Sequence, residues 1–378
     1  MNLRHEIGNT ILEGFGNAVW EGFRSLAFRK EAEEAHIFTL RALETCERLK
    51  IAGALSYLYC SPYTDKPTAV AGMRWDNPVG LAAGFSKNGE ALEALSMLGF
   101  GCIEIGTITP RPQLGNPRPR VFRYPESRAV INRYGFNSEG SKAVVKRIDP
   151  IMQKWRWRSS IPPIIYSIGA NKSTLDAYGK SGDLEVVVAD YVAAFADLSP
   201  QIRGKDGVQI NISSPNTPGL RSLFDRLPEF LGSFIQKARQ TEYGLHLPPL
   251  ILKVPPDGLT PEDYRTVVVT AAECGIRGIE ATNTTADEHI KKSYGMTEAG
   301  GVSGDPLRLR ANECLAHLRA SAEEKSIDLI GVGGIMNARH AEQKWRAGAK
   351  AIQIYTGLVF RGPRLIGECL ETYHELTR

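Results

Sequence analysis

The sequence has no uninterrupted apolar run approaching the roughly 18 residues that a membrane-spanning helix needs. Any contact with a bilayer would therefore be made from its surface. Its six cysteines (Cys46, Cys60, Cys102, Cys274, Cys314 and Cys369) lie far apart, and none forms a Cys-x-x-Cys pair. This argues against a disulfide scaffold or a zinc site and for reduced thiols. No large charge excess is present either: the formal charge is +4, and the Lys and Arg residues are dispersed. Nucleic acid is a poor partner for such a surface. The N-terminus lacks a clean signal peptide or an acid-poor transit sequence, because Glu6 and Glu13 come too early.

What is present is a soluble globular composition, 42% hydrophobic and 23% charged over 378 residues. That length suits one large α/β barrel with an appendage, or two ordinary domains. From about residue 77 onward, short apolar runs recur and mostly end in Gly, Ser, Thr or Asn: Val79–Ala83, Cys102–Gly106, Ile164–Ile168, Val208–Ile212, Leu250–Val254, Gly278–Thr282, Leu329–Val332 and Ala351–Tyr355. Helix-like segments separate most of them, among them Gly89–Leu98, Pro261–Cys274, Leu307–Lys325 and Ala338–Ala347. Eight alternations of buried-type strand and helix predict an α/β fold, a (β/α)8 TIM barrel, with its chemistry at the carboxyl ends of the strands. Two connections exceed simple βα loops, residues 107–163 and residues 170–190, and these are expected to build the pocket or its lid.

Residues 1–60 stand outside this rhythm and read as an N-terminal helical extension, leaving 61–378 for the barrel. Ile11, Phe15, Val19, Phe23 and Leu26 recur at helical spacing, a second helical segment follows near Glu31–Leu49, and Ile51–Cys60 is apolar. The pattern fits a cap packed on the barrel, or an amphipathic helical pair lying in a bilayer surface.

The strand exits carry the chemistry. Gly207-Val-Gln-Ile-Asn-Ile-Ser-Ser-Pro-Asn-Thr217 runs an alternating strand into two amides and three hydroxyls. Taken alone, this is better explained by a helix N-cap. Strand one leads into Ala82-Ala-Gly-Phe-Ser-Lys-Asn-Gly89, small residues followed by Lys87. Strand five places Lys253 inside an apolar run, a costly position without an anion or an electron-rich ring as partner. Strand six ends Thr282-Asn-Thr-Thr285. Gly331-Val-Gly-Gly334, Tyr355-Thr-Gly357 and Gly300-Gly-Val-Ser-Gly304 supply glycine-rich turns where barrels commonly bind phosphate. Phosphate, a lysine near a ring and no metal ligands together point to flavin mononucleotide (FMN).

In this order the residues resemble the dihydroorotate dehydrogenases, specifically the membrane-associated, quinone-reducing class. The resemblance runs over about 300 residues, from Asn77-Pro-Val-Gly-Leu-Ala-Ala-Gly84 to Thr356. Its long motifs are Gly115-Asn-Pro-Arg-Pro-Arg120, Ile131-Asn-Arg-Tyr-Gly-Phe-Asn137, Ser213-Ser-Pro-Asn-Thr217 and Gly300-Gly-Val-Ser-Gly304. The resemblance implies oxidation of dihydroorotate to orotate in pyrimidine biosynthesis, through FMN, with ubiquinone or menaquinone as acceptor. It casts Ser214 as the catalytic base, Thr217 as a proton relay and Phe136 as a residue packing beside them. Substrate would be held by Lys87, Asn132, Arg133, Tyr134, Gly135, Phe136, Asn211, Asn216, Asn283 and Thr284. FMN would be held by Ala83, Gly84, Lys87, Thr107, Ser167, Asn211, Lys253, Thr282, Gly304, Gly334, Tyr355 and Thr356. His36, Arg123 and Tyr355 would face the quinone, and the N-terminal helices would lie on the membrane.

Relatives that use fumarate or nicotinamide, the rival reading, place a cysteine on the strand-four loop; no cysteine occurs between Cys102 and Cys274 here. Two departures from the family pattern stand out: Ser86 replaces the usual Asp before Lys87, and Ser167 the usual Asn ending strand three. The segment near Ser173–Glu185 is about a dozen residues longer than usual. A monomer is expected. The scattered cysteines and the long insertion lean the expected compartment toward the mitochondrial inner membrane, over the cytoplasmic face of a bacterial one.

Overall fold

A computed structural model describes residues 3–59, 66–155, 161–216, 220, 222–242, 244 and 246–378. Eight parallel strands close a barrel in chain order: β1 (Val79–Ser86), β2 (Cys102–Ile108), β3 (Ile164–Ile168), β4 (Gly207–Asn211), β5 (Leu250–Val254), β6 (Gly278–Ala281), β7 (Asp328–Val332) and β8 (Ala351–Ile354). These are the eight expected strands with small changes at their ends, the largest being β1, which runs on to Ser86.

Period-two alternation sorts their side chains into two cores. Outward residues such as Leu81, Ile103, Ile105, Ile164, Ile210, Leu252, Ile279 and Ile352 pack under the helices in one large cluster. Each such Ile or Leu contributes about 1.5–3 kcal/mol on burial, so this shell holds the barrel closed. Inward residues form layers. Ile165, Ile251 and Ile330, from alternate strands, pack near the bottom against an antiparallel hairpin of Thr68–Val70 and Met73–Trp75. That hairpin plugs the barrel so closely that a Cβ on Gly278 would lie 2.6 Å from the Ala71 Cβ.

Over the opposite, carboxyl end lies a three-stranded antiparallel sheet of Val121–Tyr124, Ala129–Asn132 and Gly301–Gly304. It comes from the first long connection and the loop after β6, and its register sets Asn132 beside Gly301. The second long connection is a correction. Residues 170–190 form no loop but the helix Lys172–Ser181 and the first half of the helix Leu184–Leu198. Gly182, at φ 69°, breaks the chain between them and the Asp183 side chain caps the second helix through Glu185 N. The polar surface of the first helix hid a buried face of Thr174, Leu175 and Tyr178. The expected helix Gly89–Leu98 shortens to Leu92–Ser96.

Three helices precede the barrel: α1 (Leu3–Phe28), α2 (Ala32–Arg48) and α3 (Gly53–Tyr59). The Glu31 carboxylate caps α2, accepting from Glu33 N at 3.0 Å and Glu34 N at 3.3 Å. On α1 the apolar stripe divides. Phe23 turns inward and stacks on Phe38 with ring centres 5.4 Å apart, while Phe15, Val19 and Leu26 are 60%, 44% and 54% exposed. The Ile11 side chain, Cys60 and Thr217 lie outside the described residues. Among those residues no helix is long and apolar enough to cross a membrane.

Candidate active site

The carboxyl end of the barrel opens into a cavity of about 1080 Å³. Of the residues anticipated for substrate or cofactor, Ala83, Gly84, Lys87, Thr107, Asn132, Tyr134, Gly135, Phe136, Asn211, Ser214, Asn216, Lys253, Thr282, Asn283, Thr284, Gly304, Gly334, Tyr355 and Thr356 line it. Thr217 is not described. Arg133 and Ser167 do not line it. The Arg133 guanidinium turns outward, donating to Glu298 at 2.9 Å and to the Ala299 and Pro119 carbonyls. Ser167 lies one level down, where its short side chain donates to Gln209 Oε1 at 2.6 Å and sits 3.1 Å from Thr107 Oγ1.

The end of β4 is held by Tyr191, whose hydroxyl donates to the Asn211 carbonyl at 2.7 Å. From that anchor the amides form a connected wall. Asn283 Nδ2 donates to Ser213 Oγ at 3.0 Å, Asn216 Nδ2 to the Asn132 carbonyl at 2.9 Å, and Asn211 Nδ2 to Thr107 Oγ1 at 2.6 Å. No helix starts at Ser213 or Ser214, so neither is a helix N-cap; instead Asn216 N–H donates to Ser214 Oγ at 3.4 Å. The loop motifs brace one another. Asn116 Nδ2 donates to the Arg133 carbonyl at 2.8 Å and Gln113 Nε2 to the Phe136 carbonyl at 2.7 Å, which holds Phe136 at φ 55°.

Lys87 stands 4.0 Å above the centre of the Tyr134 ring. Burial, with Arg120 nearby, lowers its pKa to about 8, while Glu90 and Glu33 oppose that shift. Ser86, in place of the family's usual Asp, is fully buried and donates to the Glu90 carbonyl at 2.8 Å. The nearby negative charge is thus supplied by Glu90, which also accepts from Asn88 N at 2.8 Å. Lys253 forms an ion pair with Glu280 on β6. Burial alone would lower its pKa, yet the Glu280 and Glu104 carboxylates more than compensate and raise it. Its partner is therefore a carboxylate within the barrel, a residue the sequence reading passed over. At the β7–β8 side, Gly304 (φ 90°) and Gly334 (φ 78°) line the cavity and pack so closely on the backbone behind them that a Cβ would strike the Arg128 carbonyl at 2.2 Å and Arg308 Cα at 2.4 Å respectively.

Val121, Val130, Ser303, Leu307 and Gln353 also line the cavity and were not anticipated. Only Gln353 had a visible sequence signal, a polar residue between two isoleucines of a buried strand.

A second cavity, about 820 Å³, lies between α1, α2 and the barrel. Its walls are largely apolar, including Trp20, Phe23, Phe28, Leu43 and Phe85, and His36, Arg123 and Tyr355 are among its few polar groups. Burial, helped by Lys87, lowers the His36 pKa to about 4, so the ring is neutral at pH 7. Arg123 donates to the Phe28 and Lys30 carbonyls at 3.1 and 3.0 Å and so closes the end of α1. Tyr134, Tyr355, Val121 and Val130 line both cavities and form the wall between them.

The fold and this paired site define a (β/α)8-barrel protein whose candidate active site lies at the carboxyl face of the barrel. Residues 67–376 match the family described as dihydroorotate dehydrogenase. The chain belongs to that family. Curated relatives named dihydroorotate dehydrogenase (quinone) include those of Xanthomonas campestris pv. campestris, 42% identical over 92% of this chain and 94% of theirs, and of Roseiflexus sp., 43% identical over 90% of each. Among solved structures, DHODH from Eimeria tenella in complex with ferulenol aligns with a TM-score of 0.75 at 31% identity, covering 91% of each chain. The curated relatives compared are bacterial, so they lend no support to the expected mitochondrial compartment.

Proposed function

We propose that the protein oxidises dihydroorotate to orotate through FMN and passes the electrons to a quinone, ubiquinone or menaquinone, within pyrimidine biosynthesis. The observation that carries this reading is the meeting of two unlike cavities at Tyr134 and Tyr355, one walled by amides and the other apolar. The curated relatives carry the quinone in their names.

The residues present fit FMN. Gly304, Gly334 and the Tyr355–Thr356 backbone would hold the phosphate, and Ala83 and Gly84 leave room for a flat ring. Lys253 and Gln353 line the same cavity and would be available to that ring, and Gln353 Oε1 has no hydrogen-bond partner among the described residues. Bound there, FMN would accept the hydride from C6 of dihydroorotate and later surrender two electrons to the quinone.

The chain itself supplies binding and proton transfer. Asn132, Asn211, Asn216, Asn283 and Thr284 would pair with the ring's N–H and C=O groups, and Lys87 with its carboxylate. An analogue lacking those groups leaves buried amides unpaired and is rejected strongly. Ser214 would take the C5 proton, a step of general base catalysis that contributes about 10²–10⁴-fold in rate. As it does so its own hydroxyl proton would pass on to solvent, and the Asn216 N–H, 3.4 Å from its oxygen, would help orient the hydroxyl. In the second cavity a neutral His36 can accept, and Arg123 donate, at a quinone carbonyl or hydroxyl. The exposed Phe15, Val19 and Leu26 of α1 suit a shallow hold on a bilayer surface.

An anaerobic visible spectrum of the purified protein tests the reading. A yellow protein that bleaches with dihydroorotate and recovers with a short-chain quinone is the expected result. A colourless protein would overturn the flavin, and a yellow one that stays oxidised would overturn the substrate. Recovery with fumarate or NAD⁺ instead of quinone would overturn the acceptor.

A further inference from the structure

At the pocket floor, the alternate strands β2, β4, β6 and β8 each send one polar side chain to the barrel axis. These are Glu104, Gln209, Glu280 and Gln353, each at most 1% exposed. A layer of four from alternate strands is ordinarily branched and apolar. Here it holds two carboxyl groups sealed from water, and a buried charge without a partner is expensive. Among the described residues one cation faces them, Lys253 from β5.

The hydrogen bonds run in one direction. Asn211 Nδ2 donates to Thr107 Oγ1, which leaves the Thr107 hydroxyl to donate to Ser167 Oγ at 3.1 Å. Ser167 donates to Gln209 Oε1 at 2.6 Å, and Gln209 Nε2 donates to Glu280 Oε2 at 2.5 Å. The chain of donors that begins in the pocket therefore ends on Glu280, which also meets Lys253. Glu104 receives one donor, Gln353 Nε2, on Oε2 at 2.7 Å. Its Oε1 has none among the described residues, yet Glu280 lies within hydrogen-bonding reach. Burial first, and the neighbouring Glu280 carboxylate second, push the Glu104 pKa well above the usual carboxylate range.

We propose that Glu104 and Glu280 share one proton, and that the single negative charge left on the pair holds and balances the Lys253 ammonium at the pocket floor, setting how readily a flavin bound there is reduced. This rests on the reading that the pocket takes FMN. No proton enters or leaves the pair in this role; the two electrons and the proton of reduction are taken up at the flavin. Both glutamates are positioning residues acting through Lys253.

The two carboxyls act as one charge, so single and double variants separate the alternatives. In Glu104→Gln the charge stays on Glu280, and in Glu280→Gln it passes to Glu104. Either variant should leave the midpoint potential of bound FMN at the wild-type value. Glu104→Gln/Glu280→Gln leaves Lys253 unbalanced and should shift the equilibrium toward reduced flavin at least tenfold, about 30 mV for a two-electron couple. A second measurement needs only the wild type and the mildest variant: the infrared difference spectrum at pH 7 should show the carbonyl stretch of a protonated acid that Glu104→Gln lacks. An upward shift in Glu104→Gln alone would mean that both carboxyls were ionised, and would overturn the proposal, as would absence of the acid band. Wild-type protein that takes up no FMN would overturn the flavin reading instead, and the infrared band would still report the shared proton.

Discussion

Arg120 lays its guanidinium against the Glu33 carboxylate at 2.8–3.2 Å, and both side chains are nearly sealed from water. The pair joins α2 to the loop that frames the pocket, because Arg120 also donates to the Leu114 and Asn116 carbonyls and lies 5.3 Å from the Tyr134 ring centre. The helical cap and the pocket loop are therefore one electrostatic unit. Glu33→Gln should cost about 3–5 kcal/mol, since it leaves a buried guanidinium without its counter-charge. Thermal unfolding measures this, and Glu33→Gln/Arg120→Met should recover much of the loss. A single variant as stable as wild type would show that Arg120 is satisfied without Glu33.

Ser214→Ala removes the proposed base and the contact of its oxygen with Asn216 N–H, while the bonds donated by the Asn216 and Asn283 side-chain amides remain. Stopped-flow reduction of the flavin by dihydroorotate should slow by roughly 10²–10⁴-fold, while orotate still perturbs the visible spectrum at a similar concentration. An unchanged reduction rate would move the proton transfer to another group.

Much of this architecture was legible in the sequence. Eight apolar runs separated by helix-length segments leave few alternatives to a closed barrel, and polar residues at the strand exits marked the active end. The failures have physical causes. Residues 170–190 look like a loop because the first helix there shows its polar side to solvent, and period-3.6 burial is faint over ten residues. Ser167 was placed at the cofactor by analogy with a longer amide; a serine cannot reach the cavity from that depth and bonds within the barrel. Glu104, Gln209, Glu280 and Gln353 were visible as polar residues at the centres of buried strands, but each looks like an isolated exception. Only closure of the barrel brings β2, β4, β6 and β8 to one axis.

Orotate binding should report the titration of Lys87. Burial and the nearby Arg120 set its pKa near 8 in the free protein, and an anionic ligand needs it charged. The orotate dissociation constant should hold steady below pH 8 and rise about tenfold per pH unit above it. Lys87→Met should bind orotate weakly and without that limb. A wild-type profile flat to pH 10 would place the ligand's carboxylate elsewhere.

Lys344 makes the opposite kind of demand on the fold. It projects from the helix Ala338–Arg346, fully buried, with no hydrogen-bond partner for Nζ among the described residues. Burial is the main cause of a pKa lowered from 10.5 to about 7, with Cys314 opposing that shift and Arg308 adding to it. The unfolded chain therefore binds this proton more tightly than the native one between those two values. Below pH 7 the whole penalty falls on the folded state. As pH rises from about 7 toward 10.5 the penalty disappears, because both states come to hold the neutral amine. Lys344→Met keeps the packed stem and removes the charge, so it should raise stability most at or below pH 7. That advantage should shrink steadily across the alkaline range. Denaturant unfolding of both proteins at pH 6.5, 8 and 9.5 checks the trend, and a gap that stayed constant with pH would mean that the lysine keeps its proton in the folded state through a contact with water or an anion.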